Sequence, residues 1–201
     1  MKMKFATALL TLAASFGFAQ EVIPAIPVGT KVVNRDNSFT YFNLRMADEE
    51  VNKTPSFLPG VGAGYRYSIN NASSVDISGN YSGQFDTEKP YYYTVPKASY
   101  LRYASPDRDS SFYYGAGLAW GGMKRPAVYD ATKKEAILKE AVDFQGIVPS
   151  VSIGGEMGRS TNGVKSFVQL DVSQPTLRIG KEVSFKNLPR PIAEVSFGLG
   201  F

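Results

Sequence analysis

The chain contains no histidine and no cysteine. That removes at once the imidazole general base, the thiolate nucleophile, the Cys/His zinc site and the disulfide framework. Carboxylates, guanidiniums, ammoniums and hydroxyls remain. Eight charged residues stand out, each on the polar side of an alternating segment: Arg45, Arg66, Arg102 and Lys165 against Asp76, Glu156, Asp171 and Glu194. Cations and anions gathered on one confined face must pair, because an unpaired charge out of water is costly. Two readings of such a set are open: a salt-bridge network that fills the fold, or a gated pore or small-ligand site. A Ser-Lys or paired-carboxylate mechanism is formally open too, but no spacing argues for one. The expectation is a protein that is not an enzyme, with no catalytic residues, no metal and no cofactor. The run Gly60-Val61-Gly62-Ala63-Gly64 leads into Tyr65-Arg66-Tyr67-Ser68-Ile69, a strand pattern, so the helix that would complete a phosphate cradle is missing.

The elements that would position these charges are strands. Two-residue alternation recurs near 38–46, 60–69, 74–85, 93–103, 111–121, 147–158, 164–173 and 191–201. In the third segment Val75, Ile77, Gly79, Tyr81, Gly83 and Phe85 share one face, with Asp76, Ser78, Asn80, Ser82 and Gln84 on the other. Such strands form a sheet with one apolar and one polar side. Pro96 and Lys97 blur the phase of the fourth segment. Short turn-rich connections, at 70–73, 105–109 and 159–163, alternate with longer ones at 47–59, 86–92, 122–146 and 174–190. An up-and-down barrel that crosses a bilayer has this asymmetry.

Alternation alone does not say whether the apolar face turns inward, as in a soluble secreted barrel or sandwich that binds an apolar ligand, or outward to lipid. Three features favour lipid. Small residues sit on the polar face, at Gly62, Gly64, Gly115, Gly117, Gly154, Gly198 and Gly200. The charges on that face are nearly balanced. Aromatic residues fall into two belts, with Tyr67, Tyr103, Phe112, Tyr114, Phe197 and Phe201 near the ends that carry the short turns, and Phe85, Tyr93 and Trp120 near the opposite ends. Two aromatic girdles around an aliphatic band match two membrane interfaces. The expected fold is all-β, an eight-stranded antiparallel up-and-down transmembrane barrel over residues 35–201.

The two ends of the sequence agree with export. MKMKFATALLTLAASFGFA has two lysines, a short apolar run and a small-residue site before Gln20, the pattern of a signal peptide over residues 1–19. Residues 20–34 then form an N-terminal periplasmic segment. The final AEVSFGLGF places Ala193, Val195, Phe197, Leu199 and Phe201 on one face. This segment resembles the C-terminal β-signal of bacterial outer-membrane proteins, and the architecture resembles the small eight-stranded barrels of the OmpA, OmpX and OmpW type. The resemblance implies Sec export, an outer-membrane location, contact with outer-membrane lipids, and recognition of Val195, Phe197, Leu199 and Phe201 by the barrel-assembly machinery.

The implied role is that of a structural, surface-exposed barrel whose loops are open to interaction, with a narrow channel or carrier for small molecules as the alternative. Loop 122–146 is the candidate contact for an external ligand, and residues 131–142 within it have the pattern of a short helix, with Glu135 four positions before Lys139. Nearby Lys124 and Arg125 are placed to meet lipid phosphates. The formal charge of +4 falls to +2 without Lys2 and Lys4, and the cations are scattered along the chain, so no nucleic-acid partner is implied.

Overall fold

The computed structural model describes residues 37–51, 54–83, 90–125, 128–129, 137–139, 141–159, 163–179 and 188–201. The proposed signal peptide, the segment 20–34 and Phe85 lie outside them. Eleven strands follow in chain order: β1 Phe39–Val51, β2 Thr54–Asn70, β3 Ser73–Gly83, β4 Tyr91–Tyr103, β5 Ser111–Arg125, β6 Val128–Tyr129, β7 Ile137–Lys139, β8 Val142–Met157, β9 Lys165–Ser173, β10 Leu177–Arg178 and β11 Ile192–Gly200. Eight of them, β1 to β5 with β8, β9 and β11, pair antiparallel into a wall. β11 pairs with β1 and β9 pairs with β8, so the wall closes on itself as an eight-stranded barrel. Closure leaves no open edge, which a strand protein in an apolar medium requires.

The seam is sealed to its last residue. The Phe201 N–H donates to the Thr40 carbonyl at 2.9 Å, and the Phe201 carbonyl accepts from the Thr40 N–H at 3.2 Å. Beyond β9, residues 174–179 continue its line along β8, with the Gln174 and Thr176 N–H groups donating to the carbonyls of Pro149 and Ile147.

The wall is inside out relative to a water-soluble barrel. Phe42, Leu44, Val61, Tyr67, Ile77, Leu118, Val151, Ile153 and Leu199 are all exposed on the outer face, while Asn43, Arg45, Arg66, Asp76, Ser78, Asn80, Lys97, Ser152, Glu156, Asp171 and Glu194 are buried on the inner one. An apolar surface that runs right round a protein is a surface for lipid. The soluble alternative needed the opposite arrangement.

Three expectations change. The long connection expected at 47–59 is instead hairpin: β1 and β2 stay paired out to Val51 opposite Thr54. Among the described residues β2 meets β3 only from Gly60 onward, so Pro59 falls outside that pairing, where a missing N–H is tolerated. The helix expected over 131–142 is replaced at 137–139 by β7, which pairs with β6; an isolated helix of that length is marginal.

The third change is one of phase. Between Thr94, opposite Gly121, and Lys97, opposite Ala119, β4 carries one residue more than β5. Val95 and Pro96 both face outward at this bulge, so every later residue of β4 is turned over. Arg102, expected inside, is exposed on the outer face. Tyr103, expected in the lipid-facing girdle, is buried in the lumen.

Candidate functional site in the lumen

The interior divides into three layers along the barrel axis. At the end that carries the short turns, Arg66 on β2 sits directly opposite Asp76 on β3, a pairing fixed by the tight turn between the two strands. Its Nε donates to Asp76 Oδ2 at 2.9 Å and its Nη1 to Glu156 Oε2 on β8 at 2.6 Å. The guanidinium is enclosed by rings. Phe39, Tyr41, Tyr113 and Phe167 have their centroids 4.8–5.8 Å from its central carbon, close enough for cation–π attraction in a desolvated site. Three tyrosine hydroxyls complete the shell: Tyr41 donates to Asp76 at 2.7 Å, Tyr103 to Glu156 at 2.8 Å and Tyr113 to Gln169 at 2.7 Å.

Glycine makes room for these rings. A Cβ at Gly198 would collide with the Phe167 ring, and one at Gly154 with the Tyr113 ring. The small inward residues are therefore matched to the aromatic ones, strand by strand.

Arg159 closes this end. From the β8–β9 connection it reaches over the Tyr103 ring at 3.8 Å and toward Glu156 at 3.7 Å. Its Nη2 donates to the Asn71 carbonyl at 2.6 Å and its Nη1 to the Ser105 carbonyl at 3.1 Å. One side chain thus ties together the three short turns. Lys165 lies close by, donating to the Asn37 carbonyl at 2.8 Å with its ammonium 4.9 Å from the Phe39 centroid.

The middle layer is centred on Asp171 of β9. Its Oδ1 accepts from Lys97 Nζ at 2.7 Å and its Oδ2 lies 3.4 Å from Arg45 Nη2. Ser152 and Gln169 donate to it as well. Arg45 also pairs with Glu194 at 2.9 Å. The third layer, at the opposite end, is apolar: Ala47, Tyr92, Ala119, Met123, Phe144, Val148 and Ile192 pack together with Leu58, Val142 and Leu188 against them. Apart from Leu188, polar centre and apolar lid are built from the wall's own side chains.

Of the eight charges expected in the lumen, the structure brings Arg45, Arg66, Asp76, Glu156, Asp171 and Glu194 into two networks and buries Lys165 beside them. Arg102 is outside. Sequence reasoning missed Lys97, which the bulge turns inward, and Arg159, whose place in a turn gives it no strand phase. On the outer face Tyr67, Phe112, Tyr114, Phe197, Leu199 and Phe201 are exposed near the turn end, and Val195 is half-buried farther up β11, opposite Met46. Tyr93 and Trp120 are half-buried at the other end, where Tyr81, Tyr91 and Tyr93 form a stack with centroids 6.2 and 6.3 Å apart.

Chemically, each carboxylate of the two networks is committed to a cation and each cation to a carboxylate or a ring. Such an arrangement rigidifies and fills; it offers no activated nucleophile.

No protein-family model and no curated protein sequence matches the chain. Among solved structures it is similar to Neisserial surface protein A, with a TM-score of 0.55 and 14% identity over 82% of this chain and 96% of that one. Likenesses with lower TM-scores are the attachment invasion locus protein Ail of Yersinia pestis, at 0.48 and 13% identity over 81% of this chain and 95% of that one, and the N-terminal β-barrel domain of Pseudomonas aeruginosa OprF, at 0.46 and 14% identity over 83% and 100%. The chain has the fold of the small eight-stranded outer-membrane barrels.

Proposed function

We propose that this chain is an outer-membrane barrel of structural, non-enzymatic role that turns its longer connections toward external partners, foremost the one expected at 122–146, which β5 and β8 shorten to 126–141. On this reading residues 1–19 direct Sec export, the barrel-assembly machinery reads Val195, Phe197, Leu199 and Phe201, and the short turns face the periplasm. The observation that carries the role is the filled lumen. Two ion-pair networks occupy its lower and middle parts, Arg159 spans the turns at one mouth, and ten apolar residues pack in the other. A conducting path would need these pairs to separate inside a narrow wall, leaving charges without partners.

The test is single-channel recording in planar bilayers. The expected result is a flat trace from protein that shifts its gel mobility on boiling, the mark of a folded barrel. Discrete, reproducible conductance steps from the same sample would overturn the structural role in favour of the narrow channel.

A further inference from the structure

We infer that Arg102 is a binding site for the phosphate of a phospholipid headgroup at the turn-end face of the membrane, the periplasmic one; this rests on the outer-membrane reading just proposed. Arg102 is exposed on the outer face of β4, one residue from the end of the strand. Directly opposite on β5 is Tyr114, and two residues up its own strand is Tyr100, both exposed. No hydrogen bond or ion pair engages the guanidinium among the described residues. A cation with no partner among the described residues, set inside an aromatic girdle, meets one abundant counter-ion, the lipid phosphate, and the planar fork of arginine matches its oxygens.

The position along the barrel supports the assignment independently. On β5 the next outward charge beyond Tyr114 is Lys124, which stands opposite Tyr91. The outward residues between them are Ala116, Leu118 and Trp120, with Gly122 covered by the Tyr93 ring. Ten residues at about 3.3 Å each, on strands tilted by about 40°, rise roughly 25 Å along the axis, which is about the height of the apolar band of an outer-membrane barrel. Arg102 and Lys124 therefore mark the two edges of the hydrocarbon, and Arg102 lies at headgroup depth. The bulge at Val95 and Pro96 is what delivers it there: without the extra residue this guanidinium would point into the lumen.

The test titrates short-chain phosphatidylglycerol into the full chain refolded in detergent and follows retained lipid by native mass spectrometry. Wild type is expected to hold the phospholipid at least about fivefold more tightly than Arg102→Gln, with Arg102→Lys keeping much of the difference. The matching diacylglycerol, which lacks phosphate, is expected to bind both forms alike. Equal phospholipid retention by wild type and Arg102→Gln overturns the site. Inorganic phosphate that displaces the lipid at equal concentration overturns the lipid as its ligand. Flotation with vesicles is measured on the same samples: Arg102→Gln that floats and binds phospholipid like wild type sinks this inference alone, whereas wild type that fails to float sinks the outer-membrane reading beneath it.

Discussion

Around Arg66 one cation is shared by two carboxylates and four aromatic rings, whereas around Asp171 one carboxylate is shared by two cations and two neutral donors. The two centres are built with opposite stoichiometry in one lumen. Each cancels most of its charge locally, and each would fail differently. Loss of Arg66 strands the buried carboxylate of Asp76 and leaves Glu156 only the longer contact with Arg159. Loss of Asp171 frees Lys97 and loosens Arg45, yet Arg45 keeps Glu194. Among the described residues Asp76 has no second cation, so the hub at the turn end is the less forgiving of the two.

The largest effect is therefore expected for Arg66→Ala. Removing one partner of a buried pair costs about 3–5 kcal/mol, and the collapse of the ring cage adds to it. The measurement is urea unfolding of the barrel refolded into lipid vesicles, followed by tryptophan emission from Trp120. Neutralising the carboxylates at the same time, as Arg66→Met with Asp76→Asn and Glu156→Gln, is expected to recover much of the loss. A triple variant as unstable as Arg66→Ala would mean that the rings, and not the unpaired charges, dominate.

Asp171→Asn comes next, near the lower end of that range, about 3 kcal/mol. Adding Lys97→Met is expected to give part of it back, because the stranded ammonium then disappears. Their coupling in a double-mutant cycle should be of order 1–3 kcal/mol. Additive losses would show that Lys97 and Asp171 do not meet in the folded barrel and that the phase of β4 is wrong.

That phase separates what the sequence made legible from what it hid. Arg66, Asp76 and Glu156 could be read from alternation because Arg66 and Asp76 lie where β2 and β3 pair in constant register, clear of the irregularity at Ser68–Asn70, and Glu156 lies on an unbroken run of β8. The eight strands and the inward glycines were legible for the same reason. The ring cage was not, although Tyr41 shares the parity of Arg45 and Phe167 that of Lys165: the aromatic residues of a membrane barrel are looked for on its outside. Lys97, Arg102 and Tyr103 all follow the one extra residue in β4, whose existence depends on how the strand pairs with β3 and β5 and not on its own pattern. The length of the first hairpin, paired out to Val51 opposite Thr54, was hidden because whether prolines at 55 and 59 interrupt a strand depends on its neighbour and not on its own pattern.

Tyr103→Phe gives the smallest effect and the sharpest reading of that slip. In a lipid-facing girdle the loss of one hydroxyl at an interface changes little. Buried in the lumen, the Tyr103 hydroxyl donates to Glu156 at 2.8 Å while its ring lies under Arg159, and a hydrogen bond to a buried carboxylate contributes about 1.5–3 kcal/mol. The phenylalanine variant keeps the ring and so keeps the contact with Arg159. The expected loss is thus about 1.5 kcal/mol in the same unfolding measurement, with the heat-dependent gel shift intact. Tyr114→Phe, on the outer face one strand away, is the internal control and is expected to unfold like wild type. If the two variants are indistinguishable, Tyr103 faces lipid, the bulge in β4 is absent, and Arg102 returns to the lumen.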